Sequence, residues 1–294
     1  MYDTVTILQF LVNGIGIGCI YGLVGIGFAV IFNASGIVNF AQGAFVMLGG
    51  IFTYVTFKAG YFPLWLCALI SVAATAAIGA VFQILIVQPL LKRRTTLFMM
   101  ILATLAIAVI LENAVLHAVG DQSFSFPSFS PGPPFKWGGV VVDRQMIWII
   151  ASSIVVVGLL VALYRFTLVG KAMKACAINP QVASILSIPV QRMLVYSFAL
   201  SAALGAVAGI LITPTQYTAY HIAVPFGVNG FVAALIGGLG NPVGAFVGGL
   251  IVGLLQSYSV LFFSAGYKEV VTFSVLLLFL FVRPGGLFGS LVED

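Results

Sequence analysis

The sequence predicts an all-α fold, a single transmembrane helical bundle of eight or nine spans occupying residues 1–294. Three observations carry that expectation. Mean hydropathy is +1.20, with 62% of residues hydrophobic and only 6% charged, outside the range of an ordinary soluble domain. Most of the chain lies in apolar runs that meet the ~20 residues a helix needs to cross a bilayer. Those runs are continuous rather than alternating, which argues against a membrane barrel of strands.

The runs fall at 7–32, 37–57, 64–90, 97–118, 146–164, 193–213, 226–240, 243–263 and 268–283. The first has no basic residue ahead of its apolar core, so it reads as a retained span and not as a cleaved leader. The segment 226–240 is short for a crossing: a helix rises ~1.5 Å per residue, which falls well below a hydrocarbon core of ~30 Å. Gly240-Asn241-Pro242 separates it from the next run, so it is expected as a broken or re-entrant helix, which leaves the count at eight or nine.

Between the fifth and sixth runs lies a segment too polar to cross, 165–192, with Arg165, Lys171, Lys174 and Arg192 and no acid. It reads as two short helices, 170–177 and 180–187. Asn179-Pro180 opens the second and Ile188-Pro189 stops it. At 100° per residue, Met173, Cys176 and Ala177 share one side of the first helix, with Lys171 and Lys174 on the other. Val182, Ile185 and Leu186 form an apolar stripe on the second. Two readings fit: an amphipathic linker on the lipid surface, or a surface offered to a soluble partner.

Charge sets the expected orientation. Lys92-Arg93-Arg94 and the 165–192 loop are separated by two spans, so one topology places both in the cytoplasm. The loop at 119–145 is then outside, its Asp121, Lys136, Asp143 and Arg144 summing to zero. The N-terminus is expected outside and, with nine spans, Arg283 and the C-terminus inside. The pI of about 9.2 follows from these span-end basic residues, and no nucleic-acid partner is expected.

Small residues recur every four positions at Gly14, Gly18 and Gly22, at Ser201, Gly205 and Gly209, and at Gly240, Gly244 and Gly248. Such ridges let helix backbones approach closely in lipid. Gly43-Ala44-Phe45-Val46 recurs as Gly244-Ala245-Phe246-Val247, each beside a polar break, a pattern associated with transport sites.

Polar groups inside spans are functional candidates. Glu112 is the one acid well inside a run, with Asn113 beside it. Asn39 and Gln42, three residues apart, would share a helical face. These four and Asn229 are the candidate substrate-pathway residues. Asn229 is equally a candidate for an interhelical hydrogen bond, as are Asn13, Gln83 and Gln216. Cys19, Cys67 and Cys176 are isolated, and His117 and His221 stand alone, so neither a disulfide framework nor a metal site is expected. A phosphate-binding G-x-x-x-x-G-K-[ST] loop is missing, and no nucleophile–base motif is present. The chain is therefore expected to be non-catalytic and to bind no cofactor.

Several stretches together resemble the first permease subunit of bacterial ABC importers of the branched-chain amino acid type. They are LVNGIGIGCIYGLVGIGFAVIF at 11–32, GIVNFAQGAFVMLGG at 36–50, QPLLKRRTTLFMMILATLAIAVILEN at 88–113, GKAMKACAINPQVASILSIPVQRM at 170–193, FVAALIGGLGNPVGAFVGGLIVGLLQ at 231–256 and YKEVVTFSVLLLFLFVRPGGLFG at 267–289. The resemblance runs through nearly the whole chain in order. It implies a multi-pass protein of the bacterial inner membrane that imports branched-chain or similar apolar amino acids. It would work with a homologous second permease, two cytoplasmic ATPases that bind ATP, and a periplasmic binding protein. It also implies that 165–192 docks on the ATPase, with Lys171, Lys174, Ala175, Asn179, Pro180 and Ala183 at or beside the contact. Glu112 departs from the glutamine common in this family. Urea, short amides or small carboxylic and aromatic compounds remain alternative cargoes, and a passive channel or secondary carrier is the alternative of another class.

Overall fold

The computed structural model describes residues 3–93 and 95–289. Its helices are α1 (Thr4–Ser35), α2 (Gln42–Lys58), α3 (Leu64–Lys92), α4 (Leu97–Val119), α5 (Arg144–Phe166), α6 (Leu168–Ile178), α7 (Pro180–Ile185), α8 (Val190–Gln216), α9 (Ala223–Gly237), α10 (Pro242–Phe262) and α11 (Lys268–Val282). Among the described residues, eight helices are long and apolar enough to cross a membrane. Two of the eight, Tyr220–Gly237 and Ala265–Val282, include the short turns that lead into α9 and α11; α2, at 17 residues, falls just short of that length. The protein is an all-α polytopic bundle.

Five helices make the centre. Helix α1 is buried without a break from Gly18 to Ile31, as its uniformly apolar composition requires. It packs against α8, α9 and α10, most extensively α10, while α2 is held against α8. Helices α4, α5 and α11 form the periphery and are largely exposed.

Close approach through glycine makes this centre possible. A Cβ on Gly18 would lie 2.8 Å from Leu250 Cα, and one on Gly14 3.0 Å from Ser257 Cβ. From the other side, Gly249 and Gly253 of α10 meet the backbone of Gly22 and Gly18. Gly209 of α8 abuts the Val46 carbonyl of α2, and Gly205 abuts the Phe45 Cβ. Gly244 and Gly248 face α9 through Gly237 and Ala233, whereas Gly240 precedes α10 and sits in the turn near Asn33.

The sequence suggests a continuous span at 37–57, but the helix starts only at Gln42. Gly36 ends α1 in a left-handed conformation (φ 67°), its N–H bonded to the Phe32 carbonyl at 2.7 Å. The chain then runs back into the bundle through Ile37–Asn39 and a turn at Phe40–Ala41. Depth follows from the partners: Gln42 reaches Gly27 and Ser201, and Gly27 lies ~12 Å from the end of α1 at a helical rise of ~1.5 Å per residue. Asn39 is therefore outside the helix, and the shared helical face expected for Asn39 and Gln42 does not exist. The local cause is Asn39 itself. Its carbonyl accepts the Gln42 N–H and its side-chain Oδ1 accepts the Ala41 N–H, at 3.2 and 3.1 Å, which competes with the helical pattern.

The short segment anticipated at 226–240 is α9, 15 residues preceded by a tight turn at Tyr220–Ile222. Helices α2 and α9 both begin inside the bundle, and Gly43 near the start of α2 meets Ala223 and Gly227 near the start of α9. Helix α3 carries a π-turn at Gln83–Val87. Loop 119–145 contains one short hairpin, β1 (Phe135–Trp137) with β2 (Val140–Val142). Gly138 and Gly139, both at positive φ, make its two-residue turn. Gln9 of α1 holds it by a two-way amide contact with the Val141 backbone, 2.9 Å in each direction.

Candidate substrate pathway and coupling platform

Helices α6 and α7 lie across one end of the bundle. The Thr167 side chain caps α6 by accepting the Gly170 N–H at 3.0 Å. Asn179 caps α7, its Oδ1 accepting the N–H groups of Gln181 and Val182, both at 3.0 Å, with Pro180 at the first helical position. Helix α7 stops at Ile185. Ser187 turns left-handed (φ 61°), and the Ile188 N–H returns to the Ala183 carbonyl at 3.0 Å.

Gly170, Met173, Cys176 and Ala183 point inward. Met173, Cys176 and Ala183 join Ile26, Val30, Leu160, Met193 and Leu204 in a buried cluster. Ala183, expected at a partner contact, is only 2% exposed and instead fastens α7 to the bundle. The small side chain is what lets α7 come close. Lys171, Lys174, Asn179 and Pro180 are exposed and Ala175 is half-buried. The outer surface also carries Ile178 (84% exposed), Val182, Ile185 (80%) and Leu186. Lys92 and Arg93 lie at the end of α3, and Gln88 Nε2 donates to Gln191 Oε1 at 2.6 Å, tying α3 to the start of α8. Arg94 lies outside the described residues.

Burial pushes the Cys176 thiol up from its ordinary pKa. Its thiolate, and hence its reactivity, is expected only above the usual thiol range. Alkylation by iodoacetamide, mapped by mass spectrometry, should leave Cys176 unmodified at pH 7 in the folded chain and modify it rapidly in denaturant.

The membrane-depth polar residues separate into three groups. Gln42 is fully buried: its Nε2 donates to the Ser201 carbonyl at 3.1 Å, and its Oε1 lies 2.6 Å from Ser201 Oγ, which is itself 2.9 Å from the Gly27 carbonyl. It joins α1, α2 and α8. Asn39 is also fully buried, its Nδ2 without a partner among the described residues.

Asn229 belongs to a second group. Tyr21 OH donates to Gln256 Oε1 (2.9 Å), Gln256 Nε2 donates to Asn229 Oδ1 (2.7 Å), and Asn229 Nδ2 donates to the Pro225 carbonyl (2.9 Å) and to Glu269 Oε1 (3.4 Å). Four helices are linked by one directional chain. Tyr21, Gln256 and Glu269 were not among the residues singled out from sequence; a single glutamine within the apolar run of α10 is the signal that could have found them. Replacing Gln256 by leucine strands Tyr21 and Asn229, and a loss of ~1–3 kcal/mol is expected, read as a lower unfolding midpoint in detergent.

Glu112 forms the third group. It opens onto a cavity of about 110 Å³ between α4, α2 and α9, lined also by Phe40, Ala44, Ala108 and Val228. Asn113 points elsewhere; it is exposed and its Nδ2 donates back to the Val109 carbonyl at 2.8 Å. On the other flank of α4 a wider apolar groove of about 810 Å³ separates it from α2 and α3. Of the other lone polar residues, Gln83 is buried at the π-turn with neither amide atom bonded among the described residues, contrary to the interhelical bond expected of it. Asn13 accepts a bond from Gln9 at 3.4 Å within α1.

The family model described as branched-chain amino acid transport system / permease component matches residues 10–280. The chain belongs to this permease family. The permease is 30% identical over 298 residues to the high-affinity branched-chain amino acid transport system permease protein BraD of Pseudomonas aeruginosa, covering 96% of this chain and 95% of that one. It is 28% identical over 304 residues to the corresponding protein LivH of Escherichia coli K12, with the same coverage. Among solved structures, PsaBC from Streptococcus pneumoniae in complex with Fab superposes with a TM-score of 0.52 over 95% of the permease and 94% of that chain. At 13% identity that likeness concerns the fold alone.

Proposed function

We propose that this permease is the membrane subunit of an ATP-driven importer of branched-chain or similar apolar amino acids. The observation that carries the reading is the α6–α7 platform. Two capped helices are fixed to the bundle from below by Met173, Cys176 and Ala183, and they present Lys171, Lys174, Ile178, Val182 and Ile185 outward. A rigid element with a mixed basic and apolar outer face can transmit a push, as a loose linker on a lipid surface cannot. Family membership supports the rest of the assembly: a homologous second permease, two ATPases and a substrate-binding protein.

In this reading the end bearing Lys92, Arg93, Lys171, Lys174 and Arg192 is cytoplasmic, as the positive-inside rule favours. The N-terminus is then periplasmic and the C-terminus cytoplasmic in the bacterial inner membrane. ATP-driven closure of the ATPases moves α6–α7, and the five central helices, locked by glycine contacts and by Gln42–Ser201, shift as a body against the loosely packed α4. A ligand shifts such an equilibrium only by its difference in affinity for the two states, so a weak passage site is sufficient and the binding protein sets most of the selectivity.

The test is uptake of radiolabelled leucine into vesicles containing the permease and its candidate partners. Uptake is expected to require ATP and loaded binding protein. Leucine accumulation by the permease alone without ATP would instead identify a carrier or channel.

A further inference from the structure

We infer that the Glu112 cavity is a subsite for a primary ammonium group carried on an apolar body. The inference takes its substrate class from the import reading, but its test does not depend on that reading.

Glu112 lies fifteen positions after Leu97 and seven before Val119, ~22 Å from one end of α4 and ~10 Å from the other at a helical rise of ~1.5 Å per residue, and so within its membrane-depth stretch. A carboxylate at that depth requires a cation or a proton. Among the described residues Glu112 has no ionic or hydrogen-bonding partner, although the Glu269 carboxylate accepts a bond from Asn229. The cavity into which Glu112 opens is otherwise apolar, with Phe40, Ala44, Leu105, Ala108, Val224 and Val228 in its wall. One acid in such a wall selects a ligand with one positive group and an aliphatic or aromatic remainder.

The same wall includes the first turns of α2 and α9, through Ala44 and through Ala223 and Val224. A ligand without an ammonium gains nothing from Glu112. The volume of about 110 Å³ takes an ammonium group with the carbons next to it, and the remainder of the ligand lies at its mouth. A lipid headgroup offers the same ammonium chemistry, so the experiment uses vesicles of phosphatidylcholine and phosphatidylglycerol, which lack primary amines.

The full chain carrying Val228→Cys is placed in these vesicles, and alkylation of that cysteine by N-ethylmaleimide is timed. The native cysteines are buried and contribute little background. Leucine or 3-methylbutylamine at millimolar concentration is expected to slow alkylation at least threefold, with 4-methylpentanoate ineffective. Adding Glu112→Gln should abolish the protection. Equal protection by all three compounds, protection by none, or protection that persists in Glu112→Gln would overturn the inference. Ala108→Cys offers a second reporter on the same wall. Protection without ATP-dependent uptake would leave the subsite standing and remove the import reading; uptake without protection would do the reverse.

Discussion

Gly249→Leu is expected to prevent recovery of folded permease, or to lower its unfolding midpoint by roughly 10 °C, the equivalent of ~3 kcal/mol or more for a chain of this size. The contact is backbone to backbone: a Cβ at Gly249 runs into the N and Cα of Gly22. No rotamer of a larger side chain avoids it, so α10 must move off α1 and take with it the Gly253–Gly18 contact and the Tyr21–Gln256 hydrogen bond. Gly158→Leu supplies the comparison. That glycine is also in a membrane-depth helix, but nothing lies within 4 Å of the Cβ it would gain. Its midpoint should stay within about 1 °C of the parent chain. Equal damage from both substitutions would show that glycine content and not helix contact governs stability.

A pair of substitutions two residues apart in α7 should give opposite phenotypes. Ala183→Glu places a carboxylate in the apolar cluster of Ile26, Val30, Met173 and Met193. An unpaired buried charge costs several kcal/mol, so α7 is expected to detach, exposing Cys176 to alkylation and lowering thermal stability. Ile185→Glu changes a side chain that is 80% exposed and should leave stability within ~0.5 kcal/mol. If the platform meets an ATPase, that variant should lose at least tenfold of substrate-stimulated ATP hydrolysis while remaining folded. Normal stimulation in Ile185→Glu would remove the platform from the coupling contact.

Much of the fold was legible because the bilayer imposes it. Long apolar runs separated by Gly, Pro and basic residues have few alternatives, and the positions of α1, α3, α4, α5 and α10 follow from them. Cap chemistry at Asn179-Pro180 located α7 in the same way. Helix α2 was harder. Hydropathy responds to composition and not to backbone conformation, and Ile37-Val38-Asn39-Phe40-Ala41 is as apolar extended as it is helical. The Gly138-Gly139 turn was readable as a hairpin signal, but three-residue strands are too short to show alternation. In the candidate site, Glu112 was conspicuous as an acid within an apolar run. The Tyr21–Gln256–Asn229–Glu269 chain was not, because its members lie on four helices and nothing local to any one of them names the others. The resemblance placed Ala183 at or beside a partner contact, and nothing in a six-residue helix with so few apolar positions shows that this side chain faces the bundle.

The internal start of α2 bears on how the chain is made. Gln42 sits at a depth where water is scarce, and its carboxamide finds its partner only in Ser201, 159 residues later. Synthesis at roughly 5–20 residues per second separates the two by ~8–30 s. During that interval α2 is a 17-residue segment with an unsatisfied amide near its leading end, poorly suited to lie alone in lipid. Its insertion is therefore expected to wait for α8, so that a helix from the centre of the bundle reaches its place long after it is made.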